Sequence, residues 1–223
     1  MDTDMMISLS HMVKTYDLKI NGVIHIGAHY GEEYKAYRDQ GIMNMLFFEP
    51  VKANYQQLIR SLPIGWSKGA TIISYNIALG NEVGYRNMYI ETANQGLSCS
   101  LLESGTHLSK YPKITFKTME NVEINKLDNI VFNRKKFNMI NIDVQGYELE
   151  VFKGAVEVLK NIDIIYSEVN FEEVYKNCCL VQDLDGFLGS FGFMRVLTDD
   201  KPKAWGDALY LKYDGFISRS YLQ

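Results

Sequence analysis

Short apolar runs recur along this chain, each too brief for a helix and apolar at successive positions. "VIHI" (23–26), "MLFF" (45–48), "MINI" (139–142) and "IDIIYSEV" (162–169) are the clearest. A strand sends successive side chains to opposite faces, so an unbroken apolar run is a strand covered on both faces. Amphipathic stretches lie between these runs. Strands alternating with helices predict βαβ units, a mostly parallel sheet and helices on both of its sides.

The expected elements follow from that rhythm. "GVIHIG" (22–27) leads to a helix from Glu32 to about Gln40, and "MNMLFFEP" (43–50) to a helix over "VKANYQQLIRSL" (51–62). "ATIISYNIAL" (70–79) is a third strand and "FNMINIDVQG" (137–146) a fourth, followed by one strong helix over 147–160. After the fifth strand at 162–169, a helix is expected within 179–192. "FMRVLT" (193–198) and "DALYLKY" (207–213) then read as an antiparallel hairpin on the parallel sheet. The stretch 81–125 breaks the rhythm. It carries two strand-like runs, "GYRNMYIET" (84–92) and "ITFKTMENVEI" (114–124), around a long Ser- and Gly-containing loop of the kind that contacts substrates. The expected architecture is a seven-stranded α/β domain over residues 1–223, with a helical extension at 1–20 and a β-rich insertion after the third strand.

The 223 residues suit one larger core, and 47% hydrophobic with 22% charged residues is ordinary for a globular chain. A net charge of -4 argues against a nucleic-acid partner, which favours a basic surface, although Arg134, Lys135 and Lys136 form a local basic cluster. Cys99, Cys178 and Cys179 lack metal-site spacing and read as packed free thiols. The acidic start lacks the basic and apolar segments of a secretory signal, and no run approaches the ~20 apolar residues of a membrane span. A cytoplasmic location is expected.

The first strand ends at Gly27 and a helix begins after Gly31, through "GAHYG". Glycines let backbone approach a ligand, and amides at a helix start attract negative groups. The same turn also serves purely steric ends. The second strand ends in Glu49, 18 residues after Gly31. A carboxylate there can accept hydrogen bonds from both ribose hydroxyls of an adenosine, or it can cap the following helix. NAD and S-adenosylmethionine (SAM) both satisfy this logic.

A third signal distinguishes them. "INIDVQGYELEVFKGA" (140–155) ends a strand at Asp143 and turns through Gly146 into a helix bearing Glu148. Together with "FFEP" (47–50), "NIALGNEVG" (76–84), "LSCSLLE" (97–103) and "YSEVN" (166–170), it resembles the FkbM family of SAM-dependent methyltransferases, in order from Val23 to Asn170. The resemblance implies a Rossmann-like class I methyltransferase fold. It implies that Gly27, Ala28 and Gly31 cradle the methionine part of SAM, with His25, His29 and Gln145 beside it. Glu49 would hold the ribose, Asn76 and Ala78 border the adenine, and Asp143 lie by the sulfonium. Two positions depart from the family pattern: His25 stands where an acidic residue is usual, and Gln145 where Glu is common.

Methyl transfer to a hydroxyl needs alignment and a proton acceptor. Asp143 is the first candidate base, with capping or cofactor contact as its other reading. Glu168, at the end of the fifth strand, and His107, in the long loop, are further catalytic candidates. Asp143, Glu168 and Asn170 together would offer oxygen ligands to Mg²⁺. Ser98, Ser100, Asn170 and Trp205 are candidate acceptor contacts, with solvated turns or hairpin packing as the plainer reading. Tyr147, Glu148 and Glu150 read as structural at a helix start. The resemblance implies an O-methyltransferase acting on a sugar hydroxyl of a glycan or glycoconjugate, with a macrolide-like product as second choice. An NAD-dependent oxidoreductase and a non-catalytic subunit with the same fold are the competing readings.

Overall fold

The computed structural model describes residues 7–62, 70–93, 95–106, 113–199 and 204–213. Its main sheet has the strands β1 (Gly22–Ile26), β2 (Asn44–Phe48), β3 (Thr71–Tyr75), β7 (Met139–Ile142), β8 (Ile164–Asn170), β9 (Phe193–Asp199) and β10 (Trp205–Lys212). The order is β3-β2-β1-β7-β8-β10-β9. β1 pairs in parallel with both β2 and β7, and β7 with β8. β10 runs antiparallel to both β8 and β9. The two last strands therefore form the expected antiparallel pair, but the chain folds the last one inward, between β8 and β9. Only β10 is reversed in the sheet.

β1 and β8 are buried along their whole length, as their apolar runs require. Alternate residues feed two cores. Ile24, Leu46, Phe48 and Ile140 face one side, where Val151, Phe152, Leu184 and Leu188 cover them. Those residues come from α4 (Glu148–Lys153) and α6 (Val181–Gly189). Val23, Met45, Phe47 and Met139 face the other side, under Leu9, Met12, Tyr37 and Leu58. These belong to α1 (Leu9–Tyr16), α2 (Tyr34–Asp39) and α3 (Lys52–Ser61). Each fully buried Phe or Leu contributes roughly 1.5–3 kcal/mol relative to exposure. Ile7, Leu9 and Met12, from the described part of the N-terminal extension, thus join this core, and Ser8 caps α1 by accepting from the His11 N–H at 3.1 Å.

Three expectations are corrected by packing. The single helix over 147–160 is two, α4 and α5 (Val156–Leu159). The break is at Gly154, which passes so close to Gly80 that a Cβ there would lie 1.9 Å from the Gly80 carbonyl oxygen. The third strand also divides. β3 stops at Tyr75, and Ala78–Leu79 form β4 in a separate sheet of order β4-β6-β5. That sheet holds β5 (Gly84–Glu91) and β6 (Phe116–Asn125), antiparallel to each other, so the β-rich insertion forms and packs Met88, Val122 and Ile124 into the first core. The helix expected from Glu32 starts two residues later, at Tyr34. Among the described residues, no helix is long and apolar enough to cross a membrane.

The chain leaves β1 toward β2 on one side and leaves β7 toward β8 on the other. The sheet reverses its winding between these neighbours, and a crevice opens there at the carboxyl ends of the strands.

Candidate functional site

A cavity of about 310 Å³ fills that crevice. One end is made by the turn after β1. Gly27 has φ +79° and its N–H bonds the Phe48 carbonyl at 2.9 Å. A Cβ at this position would stand 1.8 Å from the Asp143 carbonyl oxygen, so only glycine lets the turns after β1 and β7 meet. Ala28 bonds the same Phe48 carbonyl, at 3.0 Å, and His29 follows with φ +44°. The His29 N–H donates to Glu49 Oε2 at 2.9 Å, and the Val51 N–H donates to Glu49 Oε1 at 2.8 Å. Glu49 thus caps the helix start and lines the cavity at once, joining the two readings its position allowed. Burial pushes its carboxyl up to about 7, against these N–H donors.

The His29 ring is tied on both sides, Nδ1 to Glu32 Oε1 at 2.8 Å and Nε2 to the Gln95 carbonyl at 3.0 Å. Both partners accept hydrogen bonds, an arrangement that favours a proton on each ring nitrogen. Burial opposes that charge, but the bonds to Glu32 and Gln95 prevail and its pKa is raised. The Tyr30 hydroxyl donates to the same Gln95 carbonyl at 3.0 Å, fastening the long loop across this end. His25 is different. It is 3% exposed, sits 3.3 Å from the Tyr37 hydroxyl and 3.4 Å from the Asn141 amide, and burial lowers it to about 4, so it is neutral.

The other end gathers acids. Asp143 directly follows β7, and Glu168 and Asp207 are register partners on β8 and β10. The Gln145 amide nitrogen donates to Asp143 Oδ1 at 2.7 Å and to Glu168 Oε2 at 2.8 Å. Its oxygen accepts from the Tyr175 hydroxyl at 2.8 Å. Fully buried Glu148 accepts from the Val144 and Gly146 N–H groups, each at 3.1 Å. Burial, with Asp143 nearby, pushes Glu148 up to about 7. Burial, then the charges of Asp143, Glu148 and Asp207, raise Glu168 well above the carboxylate range. Asp207 also accepts from the Tyr166 hydroxyl.

Of the residues named from sequence, His25, Gly27, Ala28, His29, Glu49, Ala78, Ser98, Asp143, Gln145, Glu168 and Trp205 line this cavity. Others take different places. A side chain at Gly31 would meet Leu58 Cδ1 at 2.7 Å, so this glycine seats α3. The Asn76 amide donates to the carbonyls of Glu49 and Pro50, at 2.9 and 2.8 Å, and pins the turn after β2. Ser100 is fully buried and donates to the Gln145 carbonyl at 2.8 Å. Asn170 leaves the same strand face as Glu168 but is fully buried outside the cavity lining, and neither polar atom of its side chain has a partner among the described residues. His107 lies outside the described residues.

Among the carboxylates of the described residues, one oxygen each of Asp143, Glu148 and Glu168 lie within 4.8 Å of one another, close enough to converge on a cation. The Gln145 amide already donates into the space between two of them. Mg²⁺, which wants about six oxygens at roughly 2.0–2.1 Å, would have to displace it. Sequence reasoning missed Tyr175, Tyr166 and Asp207. Tyr175 stands in an irregular stretch with no periodic signal, and Asp207 joins Glu168 only because β10 folds in beside β8.

Comparison with known proteins gives a consistent picture. A family model described as the methyltransferase FkbM domain matches residues 25–198. The 2-O-methyltransferase NoeI of Sinorhizobium fredii (strain NBRC 101917 / NGR234) is 31% identical over 97 residues, 43% of this chain and 40% of that protein. The crystal structure of methyltransferase FkbM from Methylobacillus flagellatus KT superposes with a TM-score of 0.55 at 15% identity, over 85% of this chain and 43% of that one. A putative S-adenosylmethionine dependent methyltransferase from Listeria monocytogenes gives a TM-score of 0.52 at 10% identity, over 91% and 96%. The two structural likenesses show the fold. This chain spans about two fifths of the length of NoeI and of the M. flagellatus protein.

Proposed function

Because the chain belongs to the methyltransferase FkbM domain family, we propose that it is a SAM-dependent O-methyltransferase acting on a hydroxyl, foremost that of a sugar in a glycan or glycoconjugate. The observation that carries this reading is one cavity in which the Gly27 turn and Glu49 meet Asp143 at the sheet's switch point. The printed name of NoeI, a 2-O-methyltransferase, supports oxygen as the methylated atom.

SAM supplies a methyl group on a sulfonium, already activated for displacement. The protein's own work is to hold, align and deprotonate. The Gly27–Ala28 turn, whose N–H groups are held by the Phe48 carbonyl, shapes the wall against which the amino-acid part lies. Glu49 accepts from the His29 and Val51 N–H groups and from the Asn54 side chain, and a carboxylate so bound still has acceptor capacity for a ribose hydroxyl. Ile77, Ala78 and Leu79 give an apolar wall for adenine. Asp143 is the proton acceptor. Burial and its acidic neighbours raise Glu168 well above the carboxylate range, and its bond to the Gln145 amide makes it a partner to Asp143. Ser98 and Trp205 frame the acceptor side, where an aromatic face suits a sugar ring. Asn170 and the unplaced His107 stay candidates for acceptor contact and proton transfer.

The test is incubation with SAM and a panel of methyl glycosides and macrolide-like alcohols, read by a mass gain of one methyl. Calorimetry with SAM, S-adenosylhomocysteine and NAD accompanies it. Binding of NAD in preference to both adenosyl compounds would overturn the cofactor assignment, and binding of none would favour a non-catalytic subunit.

A further inference from the structure

On the methyl-transfer reading above, we propose that Tyr175 is a positioning residue: its hydroxyl sets the Gln145 amide so that one nitrogen spans Asp143 and Glu168. The first ground is backbone geometry. Gln145 has φ +55°, a left-handed conformation that is strained for a residue with a Cβ. The surroundings hold it there. Ser100 Oγ donates to the Gln145 carbonyl at 2.8 Å, and the flanking Val144 and Gly146 N–H groups are both bound by Glu148 Oε1 at 3.1 Å. Strain that the neighbours enforce so fully points to a functional placement of the side chain.

The second ground is the direction of the amide. Its nitrogen has two hydrogens, and they meet Asp143 Oδ1 at 2.7 Å and Glu168 Oε2 at 2.8 Å. A half-turn of the amide would set Oε1 against both acidic oxygens and turn its two N–H groups away from them. Tyr175 opposes that turn by donating to Oε1 at 2.8 Å, a shorter contact than its 3.2 Å to the Ser98 carbonyl. Tyr175 is itself 1% exposed and anchored by a bridge to Ser104. The chain Tyr175–Gln145–Asp143 thus runs from the loop after β8 to the end of β7, and it fixes the carboxylate that takes the proton. In the step it serves, the acceptor oxygen gains the methyl carbon and the carbon–sulfur bond breaks with its electron pair left on sulfur. The hydroxyl proton passes to Asp143.

The experiment is a double-mutant cycle on the full chain with Tyr175→Phe, Gln145→Met and both together. Turnover is measured with SAM and whichever methyl glycoside reacts fastest in the acceptor panel. Tyr175→Phe keeps the buried ring and is expected to lower kcat about tenfold, with KM for SAM within about twofold. In the Gln145→Met background the same change should cost nothing further. Losses that multiply would assign the effect to the Ser98 contact or to folding, and unchanged kcat in either single variant would overturn the proposal. A second readout needs no turnover: the side-chain amide protons of Gln145, followed by nitrogen-15 NMR in the protein without substrate. They should exchange at least about tenfold faster in Tyr175→Phe, once the partner of Oε1 is gone. Equal exchange overturns Tyr175's hold on the amide even if no glycoside is methylated, a result that by itself would count against the transfer reading instead.

Discussion

The two ends of the cavity are built from different material. Around Gly27 the shape is set by backbone: a positive φ, a close pass over Asp143, and N–H groups of residues 29 and 51 converging on Glu49. Around Asp143 it is set by side chains from three separate places, the turn after β7, β8 and the irregular stretch beyond, joined through Gln145. His25, inside β1 beside this turn at the Gly27 end, is a neutral, hydrogen-bonded core group. In the side-chain network each member is positioned by the next, and this suits an end that must do chemistry.

The sharpest way to break the contrast is Gly27→Ala. A methyl group 1.8 Å from a carbonyl oxygen has no rotamer to escape into, and φ +79° adds its own penalty. Urea unfolding should show a loss of ~3 kcal/mol or more, with SAM binding gone. Asp143→Asn should do the opposite. It keeps the shape, so unfolding and SAM affinity should stay near wild type while turnover falls by roughly 10²-fold or more, the scale of a lost general base. A variant of Asp143 that turns over normally would remove that residue from the chemistry.

What was legible in the chain divides along the same line. Strand positions, the Gly27 turn, Glu49 and Asp143 each announce themselves locally, through an apolar run and the residue that ends it. The break at Gly154 does not, because Val151, Phe152, Ala155, Val158 and Leu159 continue one apolar stripe across it, and the interruption comes from Gly80 on a distant segment. The split of the third strand is hidden in the same way by the unbroken run from Ile72 to Leu79. The Gln145–Tyr175 bond joins residues 30 apart through an αL turn that no residue type predicts, and Asp207 meets Glu168 only through the inward placement of β10. Gly31 and Asn76 were read by position alone, and tertiary packing spends both on α3 and the turn after β2.

A smaller effect tests the backbone end by titration. Burial raises Glu49 from its ordinary 4.5 to about 7, so the folded protein holds a proton there that the unfolded chain releases. Glu148 behaves alike. Their contribution to stability is therefore greatest below 4.5 and is lost as pH rises toward 7. Ligand binding should run the other way. Ribose hydroxyls donate to the charged carboxylate, so SAM affinity should improve about tenfold between pH 6 and pH 8 as Glu49 ionises. Glu49→Gln should flatten that dependence while lowering affinity at pH 8 roughly tenfold. Calorimetry at the two pH values decides it, and a slope that survives in Glu49→Gln would move the titration to another group.

The smallest expected effect concerns the side-chain end. Three carboxyl groups within 4.8 Å invite a cation, and without a bridge they would repel one another. Here a neutral amide supplies the bridge, donating one hydrogen to Asp143 and one to Glu168, while Glu148 is spent on two backbone N–H groups. Glu168, raised well above the carboxylate range by burial and then by its acidic neighbours, is the member least disposed to carry charge there. Mg²⁺ would have to evict the amide and strip its own tightly held waters for the partial oxygen set that remains. Chelation by EDTA should therefore change turnover by less than about twofold, a difference near the resolution of a single lost surface contact. Strict dependence on added Mg²⁺ would mean that Gln145 turns its oxygen inward as a ligand. In that case Tyr175→Phe, by releasing the amide, would tighten metal binding, and titration of the variant with Mg²⁺ would expose the exchange.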